Sequence, residues 1–167
     1  MIVKAVLFDL DGTLVDTATL EPLRKAKKWR DCVAQCGSTN CFPGIPEVLG
    51  GLREKGVKIG IVTTSVSFYA ERLCGHHGIK YDTLIAWHDV KSQKPAPDPF
   101  LKALERLKLS AKEALGVGDD FSDAVALNAA GIPALGAGWS PVLQRKAAWC
   151  RILGAPQQLL SELKRGR

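Results

Sequence analysis

The sequence predicts an α/β fold, a mostly parallel sheet with helices on both faces. Two observations carry this. Short apolar runs alternate with longer amphipathic stretches from one end of the chain to the other. The segments joining them are short, and several are punctuated by glycine or proline where a helix would stop or start. Right-handed crossovers in such a fold bring the carboxyl ends of the strands to one edge, where open sheets bind ligands.

Each element can be justified in turn. Residues 3–8 read as a buried strand, as do 57–62 (VKIGIV), 83–87, 114–117 and 132–135, with Ile152 and Leu153 as a last short one. Residues 45–55 follow Pro43 and Gly44, keep a helical pattern and stop at Gly56, a suitable C′ glycine. Residues 67–76 place Tyr69, Leu73 and His76 at helical spacing. Residues 99–107 put Phe100, Leu101, Leu104 and Leu107 on one face. Residues 121–130 are alanine-rich and end at Gly131, and 156–163 begin with a proline suited to a first helical turn. There is no internal repeat, low-complexity segment or long linker. The expectation is one domain over residues 1–167.

Composition narrows the class. The 167 residues are 46% hydrophobic and 24% charged, as in globular proteins with a packed core and unlike disordered chains. No apolar run approaches the ~20 residues of a membrane span. The first apolar run is cut by Asp9 and no cleavage-site pattern follows, so a cytoplasmic location is expected. Net charge is +6, with Arg24, Lys25, Lys27, Lys28 and Arg30 crowded together and Lys164, Arg165 and Arg167 in a basic tail. Such a segment reads either as a solvated helix face or as a landing surface for an anionic partner, nucleic acid included. Five cysteines, an odd number, fit free thiols in a reducing compartment. Cys32, Cys36 and Cys41, with Cys74, His76 and His77, make only a loose zinc pattern without a CxxC pair.

The chemistry gathers at the predicted strand ends. Asp9, Asp11 and Gly12 follow the first strand, Thr63, Thr64 and Ser65 the second, and Asp119, Asp120 and Asp123 the fourth. Lys94 precedes a proline-marked helix start. Converging carboxylates repel one another, and a hard divalent cation such as Mg²⁺ resolves that conflict with oxygen ligands. One carboxylate can attack phosphorus while a second, two residues on, moves the proton of the leaving oxygen and then of water. Thr63 offers a neutral donor to a phosphoryl oxygen, Lys94 a positive charge, and Gly12 a tight turn beside the substrate.

The segments DLDGTLVD, IVTTS, KPAPDPF and GVGDDFSDAVALNAAG, in this order, resemble the four motifs of the haloacid dehalogenase-like hydrolase superfamily. The likeness is strongest to its phosphoglycolate phosphatase and β-phosphoglucomutase branch and runs from about residue 3 to 137. It implies a Rossmann-like three-layer α/β/α sandwich with core strands in the order 5-4-1-2-3. It implies Asp9 as nucleophile, Asp11 as general acid and base, and Thr63, Thr64, Gly12 and Lys94 around the phosphoryl group. Mg²⁺ would be held by the Asp9 side chain, the Asp11 main-chain carbonyl and Asp119, with Asp123 acting indirectly. An acid two residues after the nucleophile accompanies phosphatases and phosphomutases in this superfamily. A phosphatase acting on phosphate monoesters is therefore expected, with a phosphomutase, another phosphotransferase or a non-catalytic phosphate-binding relative as alternatives.

Two features depart from the pattern. Asp120 stands where relatives commonly carry serine, and is expected to sit behind the metal ligands or to face solvent. The insert at residues 15–42 is too short for the helical-bundle cap of many relatives and leaves room for one helix around 20–36 or two very short ones. An open site is expected, able to admit larger phosphorylated substrates such as polynucleotide ends or phosphoproteins, with nucleotides and small phosphomonoesters as the other candidates. Trp29 is expected to pack or to stack on a base. Trp87, Trp139 and Trp149 are expected to pack in the core or at an edge, and His76, His77 and His88 to serve structure.

Overall fold

The computed structural model describes residues 2–165. Arg167 of the basic tail lies outside the described residues. Six strands form one sheet: β1 (Ala5–Phe8), β4 (Lys58–Val62), β5 (Thr83–Ile85), β6 (Ala114–Gly118), β7 (Ala134–Ala137) and β8 (Arg151–Leu153). All pair in parallel, in the order β5-β4-β1-β6-β7-β8. This is the expected core order with β8 added outside β7.

The central strands are continuous apolar runs because both faces are covered. Along β1, Val6 and Phe8 face one core while Ala5 and Leu7 face the other, as the two-residue period dictates. The first core is closed by α3 (Ile45–Glu54), α4 (Ser67–His76) and α7 (Gln158–Arg165). The second is closed by α5 (Asp98–Leu107) and α6 (Phe121–Ala129). A three-layer sandwich results. Helix α6 lies so close to the sheet that a Cβ on Gly116 would stand 2.1 Å from Leu127.

Boundaries moved for local reasons. The strand expected at 83–87 ends at Ile85, because the Asp89 carboxylate accepts from the Ala86 amide (2.8 Å) and folds Trp87–Asp89 into a 3₁₀ turn. The strand expected at 132–135 begins at Ala134, after Pro133, which has no N–H for a ladder. The insert holds two very short helices, α1 (Glu21–Lys25) and α2 (Trp29–Ala34). An antiparallel ribbon of β2 (Val15–Asp16) with β3 (Asn40–Cys41) joins its two ends, a pairing too short to show in the sequence pattern. The described cysteines are all free thiols, and no helix among the described residues is long and apolar enough to cross a membrane.

Candidate active site

Because β1, β4 and β6 are adjacent and parallel, the residues that follow them meet at one edge. Phe8 pairs with Ile61 on one side and Val117 on the other, so Asp9, Thr63 and Asp119 emerge as neighbours. The Asp9 amide still donates to the Val117 carbonyl at 2.9 Å, which fixes where its side chain starts. With Lys94 and Asp123 they line a cavity of about 400 Å³, walled on the insert side by Asp16, Thr17, Ala18, Glu21 and Arg24.

Lys94 is the hub. Its side chain is 2% exposed, and its Nζ donates to Asp123 Oδ1 (2.6 Å), the Val62 carbonyl (2.7 Å) and Asp9 Oδ1 (3.0 Å). Burial opposes the ammonium charge, but Asp123 and Asp9 outweigh it and hold the lysine charged. Asp123 is locked from its other oxygen, Oδ2, which accepts from the amides of Asp119 and Asp120 (3.2 Å each). Asp119 accepts from the Thr13 hydroxyl at 2.8 Å, and the Trp139 indole donates to the Thr13 carbonyl at 2.9 Å. Gly12 turns the chain at φ 80°, and a Cβ there would stand 2.7 Å from an Asp119 carboxylate oxygen.

One cation does not balance three buried carboxylates. Burial first, and then repulsion among the acids, push Asp9 up to about 7 against the pull of Lys94. Burial and the charge of Asp123 raise Asp119 to about 6, and burial and Asp9 raise Asp123 to about 6. Asp9, Asp119 and Asp123 each offer one oxygen, and these lie within 4.8 Å of one another. Among the described residues no other group of three or more His, Cys, Asp or Glu side chains converges this way. An all-carboxylate, charge-deficient set of this kind suits a hard divalent cation such as Mg²⁺.

Asp11 lives in different surroundings. Two residues beyond Asp9, it turns toward the insert and α4, with its side chain 8% exposed. Its carboxylate accepts from Tyr69 Oη (2.7 Å), Thr17 Oγ1 (2.8 Å) and Ser65 Oγ (3.0 Å), and Arg24 Nε approaches to 3.5 Å. Burial and the charge of Asp11 raise the Tyr69 phenol above its ordinary range, so it stays a donor. Thr63 is buried and its Oγ1 accepts from the Ser65 amide (3.1 Å), which leaves its hydroxyl proton free for a ligand. Thr64 lines the cavity from an exposed position.

Asp120 has a local task. It caps α6, accepting from the Ser122 amide (2.9 Å) and hydroxyl (2.6 Å). Trp29 packs its ring against Tyr69, centroids 5.5 Å apart. Trp87 follows the edge strand β5 and is 43% exposed, because the 3₁₀ turn carries it outward. His77 serves structure, with Nε2 2.7 Å from Thr39 Oγ1.

Residues 21–137, most of the chain, match the family described as haloacid dehalogenase-like hydrolase. The chain belongs to that family. Pyrophosphatase PpaX of Bacillus velezensis is 30% identical to it over 183 aligned residues, covering 83% of this chain and 84% of the relative. That alignment is longer than the 167-residue chain, so PpaX has segments this member of the family lacks. Phosphoglycolate phosphatase of Escherichia coli K12 is 38% identical over 100 residues, 59% of this chain but only 40% of the E. coli protein. Among solved structures, CbbY from Rhodobacter sphaeroides in complex with phosphate superposes with TM-score 0.82 at 20% identity, covering 98% of this chain and 100% of that one. Such a likeness shows the fold.

Proposed function

We propose that the chain is a Mg²⁺-dependent phosphatase that hydrolyses phosphate monoesters through a phospho-aspartyl intermediate on Asp9. The observation that carries this reading is the division of labour between the two acids of DLDG. Asp9 belongs to the Lys94–Asp119–Asp123 cluster, whereas Asp11 is held in a separate set of donors two residues away. The names of the relatives, a pyrophosphatase and a phosphoglycolate phosphatase, both denote phosphate release and support it.

In the first step an Asp9 carboxylate oxygen attacks phosphorus and the ester P–O bond breaks. Asp11 gives its proton to the departing alkoxide. In the second step Asp11 takes a proton from water, whose oxygen attacks the phosphorus of phospho-Asp9, and the acyl phosphate P–O bond breaks to release phosphate and regenerate Asp9. Thr63 Oγ1 and Lys94 Nζ hold the phosphoryl oxygens, and Lys94 also favours the ionised form of Asp9 and orients it. Asp9, Asp119 and the Asp11 main-chain carbonyl would hold Mg²⁺, which supplies positive charge to the phosphoryl oxygens; Asp123 fixes Lys94 from behind. The insert lines one side of the cavity with only two very short helices, which supports access by substrates larger than phosphoglycolate.

The test is phosphate release from p-nitrophenyl phosphate with Mg²⁺ or with EDTA, for the wild type and Asp9→Asn. Mg²⁺-dependent turnover that Asp9→Asn abolishes is expected. Undiminished turnover in Asp9→Asn would refute the nucleophile assignment.

A further inference from the structure

A second cavity, about 420 Å³, opens beside the first, and both volumes fall in the range of about 300–1,000 Å³ usual for small-molecule sites. The two share Glu21, Arg24 and Thr64, so they are contiguous. The second is formed between the insert and the sheet edge, with Trp29, Lys25 and Lys27 on one side and Trp87 and His88 on the other. We infer that this groove binds the leaving group of the substrate, and that the leaving group is a nucleoside carrying a second phosphate. The inference rests on the phosphatase reading and adds the substrate class.

Three observations converge. First, Trp87 is 43% exposed on a turn that is tightly held. Its amide donates to the Ser65 carbonyl (3.0 Å), Gln93 Nε2 donates to its carbonyl (2.6 Å), and Asp89 of the same turn is paired with Arg106 at 2.7 Å. A large indole kept in water by a well-tied turn is a preformed stacking surface. Second, the facing side is cationic beyond local need. Lys25 is paired with Glu21, and Arg24 faces Asp11, but Lys27 has no carboxylate partner among the described contacts. Third, Lys27 sits across the groove with its Nζ 6.0 Å from the centre of the Trp87 ring. It is placed there by a left-handed backbone (φ 56°) uncommon for a non-glycine residue, which closes the end of α1. A planar base against Trp87, with an anion within reach of Lys27, satisfies both groups at once. An aliphatic phosphate such as phosphoglycolate would leave the exposed indole without a planar stacking partner.

The test compares kcat/KM for glycerol phosphate, AMP and adenosine 3′,5′-bisphosphate. The expected order is bisphosphate above AMP above glycerol phosphate. Trp87→Ala should lower the ratio of AMP to glycerol phosphate about tenfold, the size expected for one lost base-stacking contact. Lys27→Gln should lower the ratio of bisphosphate to AMP without changing that of AMP to glycerol phosphate. Equal kcat/KM for AMP and glycerol phosphate in the wild type, or ratios that neither substitution changes, would overturn the inference. Calorimetric titration of Asp9→Asn with the bisphosphate separates this inference from the reaction itself. Saturable binding that Trp87→Ala weakens about tenfold would uphold the groove even if no ester were hydrolysed. No binding, or binding that Trp87→Ala leaves unchanged, would sink it.

Discussion

Lys94→Met removes the one charge that three buried carboxylates share while keeping much of the side-chain volume. Asp9 and Asp123 then lose their cation at 3.0 and 2.6 Å, and the Val62 carbonyl loses its donor at 2.7 Å. Breaking a buried pair by removing one partner typically costs about 3–5 kcal/mol. Here the acids have an escape, because they can take up protons. Asp9 already titrates at about 7, so neutralising it at pH 7.5 costs less than about 1 kcal/mol. Asp123 titrates at about 6, and holding it neutral at pH 7.5 costs about 2 kcal/mol at ~1.4 kcal/mol per pH unit. The variant should therefore lose about 2–3 kcal/mol more at pH 7.5 than at pH 5, where both acids are protonated with or without the lysine.

The sign follows from proton counting. Removing Lys94 lifts the folded-state pKa values of Asp9 and Asp123 further above their unfolded value of 3.8. A raised carboxylate retains its proton in the folded state after the unfolded chain has lost it, so stability falls as pH rises through that window. Without Lys94 the window extends upward, and the added loss appears between about pH 6 and 8. Urea unfolding of wild type and Lys94→Met in EDTA at pH 5 and pH 7.5 measures it. An equal loss at both pH values would refute the reasoning and make Lys94 a packing residue against Phe100, whose ring centre lies 5.4 Å from Nζ.

Three further outcomes are expected. Mg²⁺ should raise the melting temperature strongly at pH 8 and little at pH 5, since Asp9 (about 7) and Asp119 (about 6) must lose protons to bind it; at a hundred times Kd the gain is about 2.7 kcal/mol. A pH-independent gain would place the ion elsewhere. Tyr69→Phe deletes the 2.7 Å hydrogen bond to Asp11 and should cost about 1–3 kcal/mol on urea unfolding, since a buried acceptor is left short of a donor, and lower kcat more than it raises KM. Asp120→Ala should cost about 1 kcal/mol and Asp120→Ser should restore it, because either oxygen can cap α6; loss of activity in the serine variant would instead assign Asp120 to the chemistry.

The parts of this site legible in the sequence are those that backbone topology places. Asp9, Thr63 and Asp119 follow adjacent parallel strands, and alternation of apolar and amphipathic runs is enough to find such strand ends. The partners of Asp11 were not legible, because they depend on how one helix settles over a loop. Tyr69 has the spacing of a core residue, and nothing local tells that its hydroxyl reaches a carboxylate 58 positions away. A tyrosine on a buried face does raise the question, since its hydroxyl needs a partner. Arg24 was hidden in a run of cations that reads as a solvated face. Trp87 misled for the opposite reason. It prolongs an apolar run, and only the Asp89 carboxylate, three residues after the Ala86 amide it captures, shows that the strand has stopped.

The insert is small, with two very short helices, yet it reaches Asp11. Thr17 and Arg24 reach it from the insert, Ser65 and Tyr69 from the loop and helix after β4, so both layers hold the same carboxylate. The paired β2 and β3 bring the insert back to its starting point, and the Trp29 ring rests on Tyr69, the strongest of those donors by distance. Identical side chains two residues apart thus meet opposite settings. Asp9 faces a charge-deficient cluster that calls for a cation, and Asp11 faces neutral hydroxyls and one arginine. In the proposed reaction that difference separates nucleophile from proton carrier, since each acid must hold its own protonation state while the other changes. A 28-residue insert suffices for that task, and in the inferred binding mode the leaving group lies in the groove between Trp29 and Trp87.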